Sequence, residues 1–234
     1  MKQIAIFASG AGSNASKIID HFRSHADIKV SLVVCNKPGA GVLDIAQKEG
    51  IPTLILEKEA FFRGSAYLEE LRENGVDFIV LAGFLWKIPS ALVKAYPGRI
   101  INIHPALLPK YGGKGMYGRF VHEAVVEAKE TETGITIHYV DELYDHGQVI
   151  FQERVPVTPE DTPGTVAQKV HWLEHQHFPK IIEAVVAADA PANAHPANAH
   201  QANAAKSSDS RRSTDVTRSS DPTRAPGTDL PNHR

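Results

Sequence analysis

Two polar side chains end an otherwise apolar stretch, Ile100–Pro105, which reads IINIHP. Asn102 and His104 are two residues apart, so in a β-strand both would point to the same side. Ligands of open parallel sheets bind at the carboxyl ends of the strands. An amide donates N–H groups and an imidazole exchanges a proton near neutral pH, so the pair is a candidate reaction centre. A structural histidine just outside the core, at the end of its strand, is the alternative.

A glycine-rich loop, Gly10-Ala11-Gly12-Ser13-Asn14, follows the first apolar run of the chain and precedes an amphipathic segment. Glycines allow a tight turn, and the free N–H groups of a helix N-terminus attract an anion, which indicates a phosphate site. An ordinary capped turn is the plain alternative. The loop also fits the G-x-G-x-x-A pattern of dinucleotide-binding proteins, which expects an acidic residue after the second strand. Lys37 stands near that point, so NADP remains a rival to a small phosphorylated substrate.

Apolar runs and amphipathic segments alternate through the first hundred residues, which predicts strand–helix units and a parallel sheet. After about residue 130 the pattern changes to two adjacent strands joined by a loop and a long helix opened by Pro163. The fold class is therefore α/β: an open, mostly parallel, twisted sheet of Rossmann-like units with a C-terminal strand pair and a long helix. The apolar stripe predicted for that helix is Val166, Val170, Leu173, His177, Ile181 and Val185.

Composition limits the function classes. The chain has 234 residues, 42% hydrophobic residues and a net charge of −2, so no general basic field points to nucleic acid or membrane. One cysteine, Cys35, excludes a disulfide framework within the chain. A helix would separate His175 from His177 by about 200°, so the histidines near residue 174 do not predict a metal site. We expect no metal and a cytoplasmic protein.

The composition changes near residue 190. Residues 190–234 contain no Phe, Trp or Tyr and repeat the pentad PANAH, so we predict a low-complexity, disordered tail. Six of the 25 Lys and Arg and four of the 27 Asp and Glu lie in this tail, which leaves residues 1–189 with a net charge of −4. Function is therefore assigned to residues 1–189.

Several segments together resemble the phosphoribosylglycinamide formyltransferase family. They occur in the family's order over about residues 1–188: GAGSN (10–14), LAGFLWKIP (81–89), INIHPALLPKYGGKGMYG (101–118), HYVDELYDHG (138–147) and EHQHFP (174–179). The Asn-x-His-Pro motif with a downstream Asp is shared by folate-dependent formyltransferases in general. The Gly-Ser-Asn loop narrows the match to the members that act on glycinamide ribonucleotide.

The resemblance implies roles for individual residues. The family's catalytic residues fall on Asn102, His104 and Asp145. Its residues for the phosphorylated substrate fall on Gly12, Ser13, Asn14 and Glu174. Its folate pocket corresponds to Arg63, Leu85, Trp86, Lys87, Ile88, Asn102, Val140 and Asp141. Two positions depart from the family pattern, because Trp86 stands where an Arg is frequent, and Gly64 stands where another Arg is frequent, with Arg63 one position earlier.

The resemblance also implies a reaction, the transfer of a formyl group from 10-formyltetrahydrofolate to the amine of glycinamide ribonucleotide in purine synthesis. Asn102 would stabilise the oxyanion, and one such donor is worth about 3 kcal/mol. His104 would donate and shuttle a proton, and Asp145 would raise the pKa of His104 and order a water. Residues 1–100 would form the substrate and phosphate half, and 101–189 the catalytic and folate half.

Two other classes stay open. One is a formyl-folate enzyme with another acceptor: a deformylase, which usually has a second His where Pro105 stands, or a tRNA formyltransferase, which needs a basic C-terminal domain. The other is a non-catalytic or redox module that binds NADP. For the leading interpretation we expect two small-molecule substrates, no nucleic acid, no membrane, and a monomer or homodimer.

Overall fold

The computed structural model describes residues 1–189, in which strands and helices alternate as the apolar pattern predicts. The elements in chain order are β1 (Lys2–Ala8), α1 (Ser13–Phe22), β2 (Ile28–Cys35), α2 (Gly41–Lys48), β3 (Thr53–Ile55), α3 (Lys58–Phe62), α4 (Leu68–Glu73), β4 (Phe78–Leu81), α5 (Ser90–Ala95), β5 (Ile100–His104), α6 (Arg119–Glu127), β6 (Glu132–Tyr139), β7 (Val149–Pro156) and α7 (Pro163–Ala188). The tail predicted to be disordered lies outside the described residues.

The seven strands form one sheet in the order β3-β2-β1-β4-β5-β6-β7. The first five strands are parallel, whereas β6 pairs antiparallel with both β5 and β7. This confirms the predicted mostly parallel α/β sheet with a C-terminal strand pair. The chain moves outward from β1 in one direction and then from β4 in the other, so a crevice opens at the carboxyl ends of these two strands.

Both faces of the sheet are covered, which explains why β1 is apolar at nearly every position. Ile18 of α1, Val42 of α2 and Phe178 of α7 belong to the core on one face. Leu71 of α4 and Leu92 of α5 belong to the core on the other face. The helices therefore hold the strand ends, and the loops that leave them, in fixed positions.

Helix α7 begins as the sequence predicts, because Thr162 and Thr165 form a reciprocal capping box and Pro163 occupies the first turn. The second half of its predicted stripe is wrong by one residue. The structure buries Phe178, Ile182 and Val186 fully, with Glu174, whereas His177, Ile181 and Val185 are only partly buried. Steps of four residues advance by about 40° beyond a full turn, so the buried face winds around the helix as it passes different neighbours.

Two short helices, α3 and α6, were not predicted as elements. Helix α6 lies in the connection that follows Gly118 and buries Val121, His122 and Val125. No helix within residues 1–189 is both long enough and apolar enough to cross a membrane.

Candidate active site

A cavity of about 860 Å³ opens where the sheet order reverses, at the carboxyl ends of β1, β4 and β5. The loops after these strands form its walls, and α7 closes one side. The hydrogen bond from the Leu85 N–H to the Ser9 Oγ, 2.9 Å, fastens the loop after β4 to the loop after β1. The predicted site residues that line the cavity are Gly12, Ser13, Asn14, Leu85, Trp86, Lys87, Ile88, Asn102, His104, Val140, Asp141, Asp145 and Glu174.

Asp145 joins the two polar residues that end β5. Its Oδ1 lies 3.4 Å from the Asn102 Nδ2, and its Oδ2 lies 3.6 Å from the His104 Nδ1. The backbone N–H of Gly113 donates to the same Oδ2 at 2.9 Å. The amide, the imidazole and the carboxylate therefore share one corner of the cavity, although they come from distant parts of the chain.

His104 is buried, with 3% of its surface exposed, rather than lying outside the core as expected from its place at a strand end. Its Nε2 lies 2.7 Å from the Tyr111 carbonyl oxygen, and only an N–H can donate there. Nδ1 is therefore the nitrogen that faces Asp145. Burial lowers the pKa of His104 below its ordinary value, and the attraction of Asp145 only partly offsets this. Asp145 thus acts on the pKa of His104 in the expected direction, but burial outweighs it, and the resting imidazole is neutral.

The pKa of Asp145 is held below its ordinary value. Burial alone would raise the pKa of this carboxyl, but its contact with His138, the charge of His104 and the Gly113 N–H together outweigh the burial. Asp145 is therefore a carboxylate at neutral pH. It also has a left-handed backbone conformation, φ 51°, which few non-glycine residues adopt, although Asp does so more readily than most.

His138 is a member of this cluster that the sequence analysis did not single out. It is buried on β6, and its Nδ1 lies 2.8 Å from the Tyr139 carbonyl oxygen. Nδ1 therefore carries the proton, and Nε2 accepts from the Asn102 Nδ2 at 3.1 Å. His138 thereby fixes the orientation of the Asn102 amide. His138 could have been noticed from the sequence because it begins the segment HYVDELYDHG, which resembles the family, two residues before Val140.

The glycine-rich loop leads directly into α1, as an anion site requires. Gly12 precedes the first helical residue with a left-handed φ of 81°. A Cβ on Gly12 would lie 2.8 Å from the Val42 Cβ, so only glycine fits. The Val42 N–H donates to the Gly10 carbonyl at 3.2 Å, so the start of α2 packs on the loop. The N–H groups of the first turn of α1 have no partners within the helix and are available to an anion.

The dinucleotide alternative finds no support in this geometry. Its ribose would reach the end of β2, but Lys37 does not line the cavity, and α2 packs against the loop on that side. The cavity extends from this loop toward Asn102 and His104 of β5 instead, which suits a compact anionic ligand.

Glu174 links the phosphate loop to α7. This buried carboxylate accepts from the Asn14 Nδ2 and from the His171 Nδ1, both at 2.8 Å. The hydrogen bond to Glu174 raises the pKa of His171 above its ordinary value, against the opposing effect of burial. His171 also lines the cavity, so an imidazole whose cationic form is favoured by Glu174 lies in the same cavity as the loop Gly10–Asn14. Among residues 1–189, no group of three or more His, Cys, Asp or Glu side chains is arranged to hold a metal ion.

An aromatic wall, formed by Phe84 and Trp86, lines another part of the cavity and is backed by Phe61 and Phe62, which do not line it. Trp86 lies against Phe61 and Phe62, with ring centroids 5.7 and 5.6 Å apart, and lines the cavity together with Phe84. The Lys87 Nζ lies 5.6 Å from the centroid of the Tyr144 ring, and both residues line the cavity. Such a wall suits a flat aromatic ligand.

Arg63 is the one predicted site residue that does not line the cavity. Its exposed side chain lies 3.7 Å from the carboxylate of Glu59 on the neighbouring turn of α3. The geometry therefore gives no support to its predicted part in binding a folate.

Comparison with known proteins agrees with this arrangement. The formyl transferase family model matches residues 2–182. A phosphoribosylglycinamide formyltransferase of Bacillus subtilis is 38% identical over 191 residues, which cover 80% of this chain and 95% of that protein. The chloroplastic phosphoribosylglycinamide formyltransferase of Arabidopsis thaliana is 42% identical over 190 residues, 79% of this chain.

The match covers only part of some relatives. It spans 65% of the Arabidopsis protein and 14% of the trifunctional purine biosynthetic protein adenosine-3 of Drosophila melanogaster, which is 39% identical. The crystal structure of the phosphoribosylglycinamide formyltransferase from Bacillus halodurans superposes with a TM-score of 0.72 at 37% identity. That alignment covers 79% of this chain and 95% of the other.

Proposed function

The chain belongs to the formyl transferase family, and we propose that it transfers the formyl group of 10-formyltetrahydrofolate to the amine of glycinamide ribonucleotide, a step of de novo purine synthesis. The observation that carries this proposal is that one cavity contains both the anion loop, Gly10–Asn14, and the cluster Asn102, His104 and Asp145. The phosphate of the acceptor would bind at the N-terminus of α1, and its amine would reach the cluster.

Asn102 is the proposed oxyanion donor. When the amine attacks the formyl carbon, the carbonyl oxygen gains negative charge, which a positioned N–H stabilises without any change of its own protonation. One Asn102 N–H is held by His138 at 3.1 Å, and the other makes a longer contact of 3.4 Å with Asp145. The longer contact is the one that a developing oxyanion would replace.

His104 is the proposed proton carrier. Its lowered pKa keeps Nδ1 unprotonated at the start, so the imidazole first accepts the proton that the attacking amine must lose. The same proton then passes to the folate N10 as the bond between N10 and the formyl carbon breaks. Asp145 stabilises the imidazolium in between, from 3.6 Å. The products are the formamide and tetrahydrofolate, with no net change in protonation of the enzyme.

The aromatic wall supports the proposed folate site. The pterin and aminobenzoyl rings are flat, and Leu85, Trp86, Ile88 and Val140 offer apolar surface in the same cavity. Asp141 adds a polar group at the wall. The substrates are small molecules, and an acceptor such as water would make no use of the anion loop, which favours glycinamide ribonucleotide over deformylation. A cytoplasmic location, a monomeric or homodimeric state and the absence of a nucleic-acid partner belong to this proposal.

A direct assay tests the function. Purified protein is mixed with 10-formyltetrahydrofolate and glycinamide ribonucleotide, and the formation of deformylated folate is followed by absorbance. We expect turnover that requires both substrates, and His104→Asn to lower kcat at least about 100-fold. His21→Asn is the matched control, because His21 pairs with Glu183 outside the cavity. Deformylation without the acceptor, or binding of NADPH without folate, would contradict the proposal.

A further inference from the structure

The segment Tyr111–Gly113 contacts both the imidazole and the carboxylate of the cluster. The Tyr111 carbonyl oxygen lies 2.7 Å from the His104 Nε2, and the Gly113 N–H donates to the Asp145 Oδ2 at 2.9 Å. Gly112 separates them, and a Cβ there would lie 2.5 Å from the Leu108 Cδ2 and 3.4 Å from the Asp145 Cβ. The segment therefore sets the relative placement of His104 and Asp145.

Tyr111 holds this placement in an unfavourable backbone conformation. Its φ is 55°, in the left-handed region, where a bulky residue is an outlier that the surroundings must impose. A hydrogen bond at the end of the side chain helps to hold Tyr111 in this conformation, because its hydroxyl donates to the Glu130 Oε1 at 2.9 Å. The same oxygen accepts from the Lys110 Nζ at 2.8 Å.

Glu130 holds the Tyr111 side chain and is itself held in place by the backbone. It lies in the short link between α6 and β6, and its backbone N–H donates to the Val125 carbonyl at 3.2 Å. Hydrogen bonds from Lys110 and Tyr111 lower the pKa of the Glu130 carboxyl, so it is an acceptor at neutral pH. A continuous chain of contacts thus leads from Glu130 through the Tyr111 side chain and carbonyl to the His104 Nε2.

We propose that Tyr111 and Glu130 are positioning residues that hold His104 in the tautomer with Nε2 protonated and Nδ1 free to accept the substrate proton. The Tyr111 carbonyl oxygen can accept a hydrogen bond from the His104 Nε2 only if that nitrogen carries a proton, so it favours this tautomer. The contact between the Tyr111 hydroxyl and Glu130 keeps the carbonyl in place. The catalytic part of this inference rests on the proposed function, whereas the tautomer itself does not.

The test combines kinetics with ¹⁵N NMR of the imidazoles, in which protonated and unprotonated ring nitrogens resonate at well-separated positions. Tyr111→Phe and Glu130→Ala break the contact at its two ends. We expect either change to lower kcat at least about tenfold, with the KM of each substrate changed less than about twofold. The NMR spectrum of His104 should change from one tautomer to a mixture.

Two variants separate positioning from simple stability. Glu130→Gln keeps an oxygen acceptor and should restore most of kcat and the single tautomer. Lys110→Met removes the other partner of Glu130 but leaves the Tyr111 contact, so kcat should stay within about twofold of the original. Thermal unfolding confirms that each variant is folded under the assay conditions.

The outcomes are distinct. A single, unchanged tautomer in both Tyr111→Phe and Glu130→Ala would overturn the inference, whether or not kcat falls. An altered tautomer with an unchanged kcat would also overturn it as a statement about catalysis. If the unmodified protein transfers no formyl group, the proposed function fails, and the NMR spectra still decide whether Tyr111 and Glu130 control the imidazole.

Discussion

Asn102 on β5 and His138 on β6 are directly paired across the antiparallel ladder, and their side chains are hydrogen-bonded at 3.1 Å. The His138 Nδ1 donates to the backbone carbonyl of the next residue, Tyr139. The backbone beside His138 therefore sets its tautomer. The acceptor that His138 presents to Asn102 is therefore built into the strand, and the amide nitrogen faces it in a fixed orientation.

Replacing His138 tests this relationship. His138→Leu replaces the imidazole with an apolar side chain of similar bulk and leaves the Asn102 amide without its partner. A lost hydrogen bond of about 1 to 1.5 kcal/mol predicts a fall in kcat of about fivefold to tenfold through poorer orientation of Asn102. Steady-state kinetics at saturating substrate measure this, and His138→Gln, which offers an oxygen acceptor, is the matched control. Equal kcat values for the unmodified protein and the Leu variant would show that Asn102 needs no such support.

The pH dependence of the reaction tests the charge state of His104. Because burial lowers its pKa, the active neutral form of His104 persists below pH 6.5, and the acidic limb of the kcat profile that belongs to this imidazole should lie below that pH. Asp145 raises the pKa of His104, so Asp145→Asn should move this acidic limb to still lower pH. The same change should lower kcat at least tenfold, because the imidazolium formed during the reaction loses its counter-charge. A limb that stays in place, or moves to higher pH, would contradict the assignment.

The glycine-rich loop gives a prediction with an internal control. Gly12 and Gly39 both have left-handed φ values, 81° and 72°, but a Cβ meets Val42 at 2.8 Å only at Gly12 and meets nothing within 4 Å at Gly39. Each Ala substitution should cost about 1 kcal/mol of stability from the backbone alone. Only Gly12→Ala should also raise the KM for the phosphorylated substrate, by tenfold or more, because the loop must shift. Thermal unfolding and kinetics check the two effects, and matching KM values in the two variants would exclude the loop as the phosphate site.

His171 predicts how substrate binding changes with pH. Its pKa is raised by the hydrogen bond to Glu174, so its positive charge is present at low pH and is lost as the pH rises through that raised value. The KM for glycinamide ribonucleotide should therefore increase as the pH rises through the raised pKa of His171, which lies above the second pKa of a phosphate, about 6. His171→Gln should abolish this increase, and His21→Gln, away from the cavity, should keep it. The same slope in all three proteins would argue that His171 does not sense the ligand.

The sheet and most of the helices could be predicted from the sequence because their signals are local. Buried parallel strands appear as short apolar runs, and the glycine and proline positions mark where helices begin and end. The Asn102 and His104 pair could be predicted because both residues lie on one strand, and the anion loop could be predicted because its residues are consecutive. For Asp145 and Glu174 the family resemblance was needed, since nothing near them in the chain distinguishes them from ordinary polar residues.

The features of the site that the sequence did not predict depend on how distant segments of the chain pack together. His138 faces Asn102 only because of the register of β5 and β6, which a single strand does not reveal. The winding of the buried face of α7, which turns Glu174 inward, depends on which neighbours the helix meets. The net direction of the His104 pKa depends on its depth of burial, which its place at a strand end did not predict.

The ladder between β4 and β5 has only three residue pairs, Ile79 with Ile100, Val80 with Ile101 and Leu81 with Asn102, whereas seven pairs join β1 to β2. The anion loop lies on one side of this narrow seam, and Asn102 and His104 lie on the other. A ligand that contacts the loop after β1 and the residues of β5 would hold these strands together. Ligand binding should therefore slow amide hydrogen exchange in Ile79–Leu81 and Ile100–Asn102. The stability of the sheet at this point would then depend on the bound ligand.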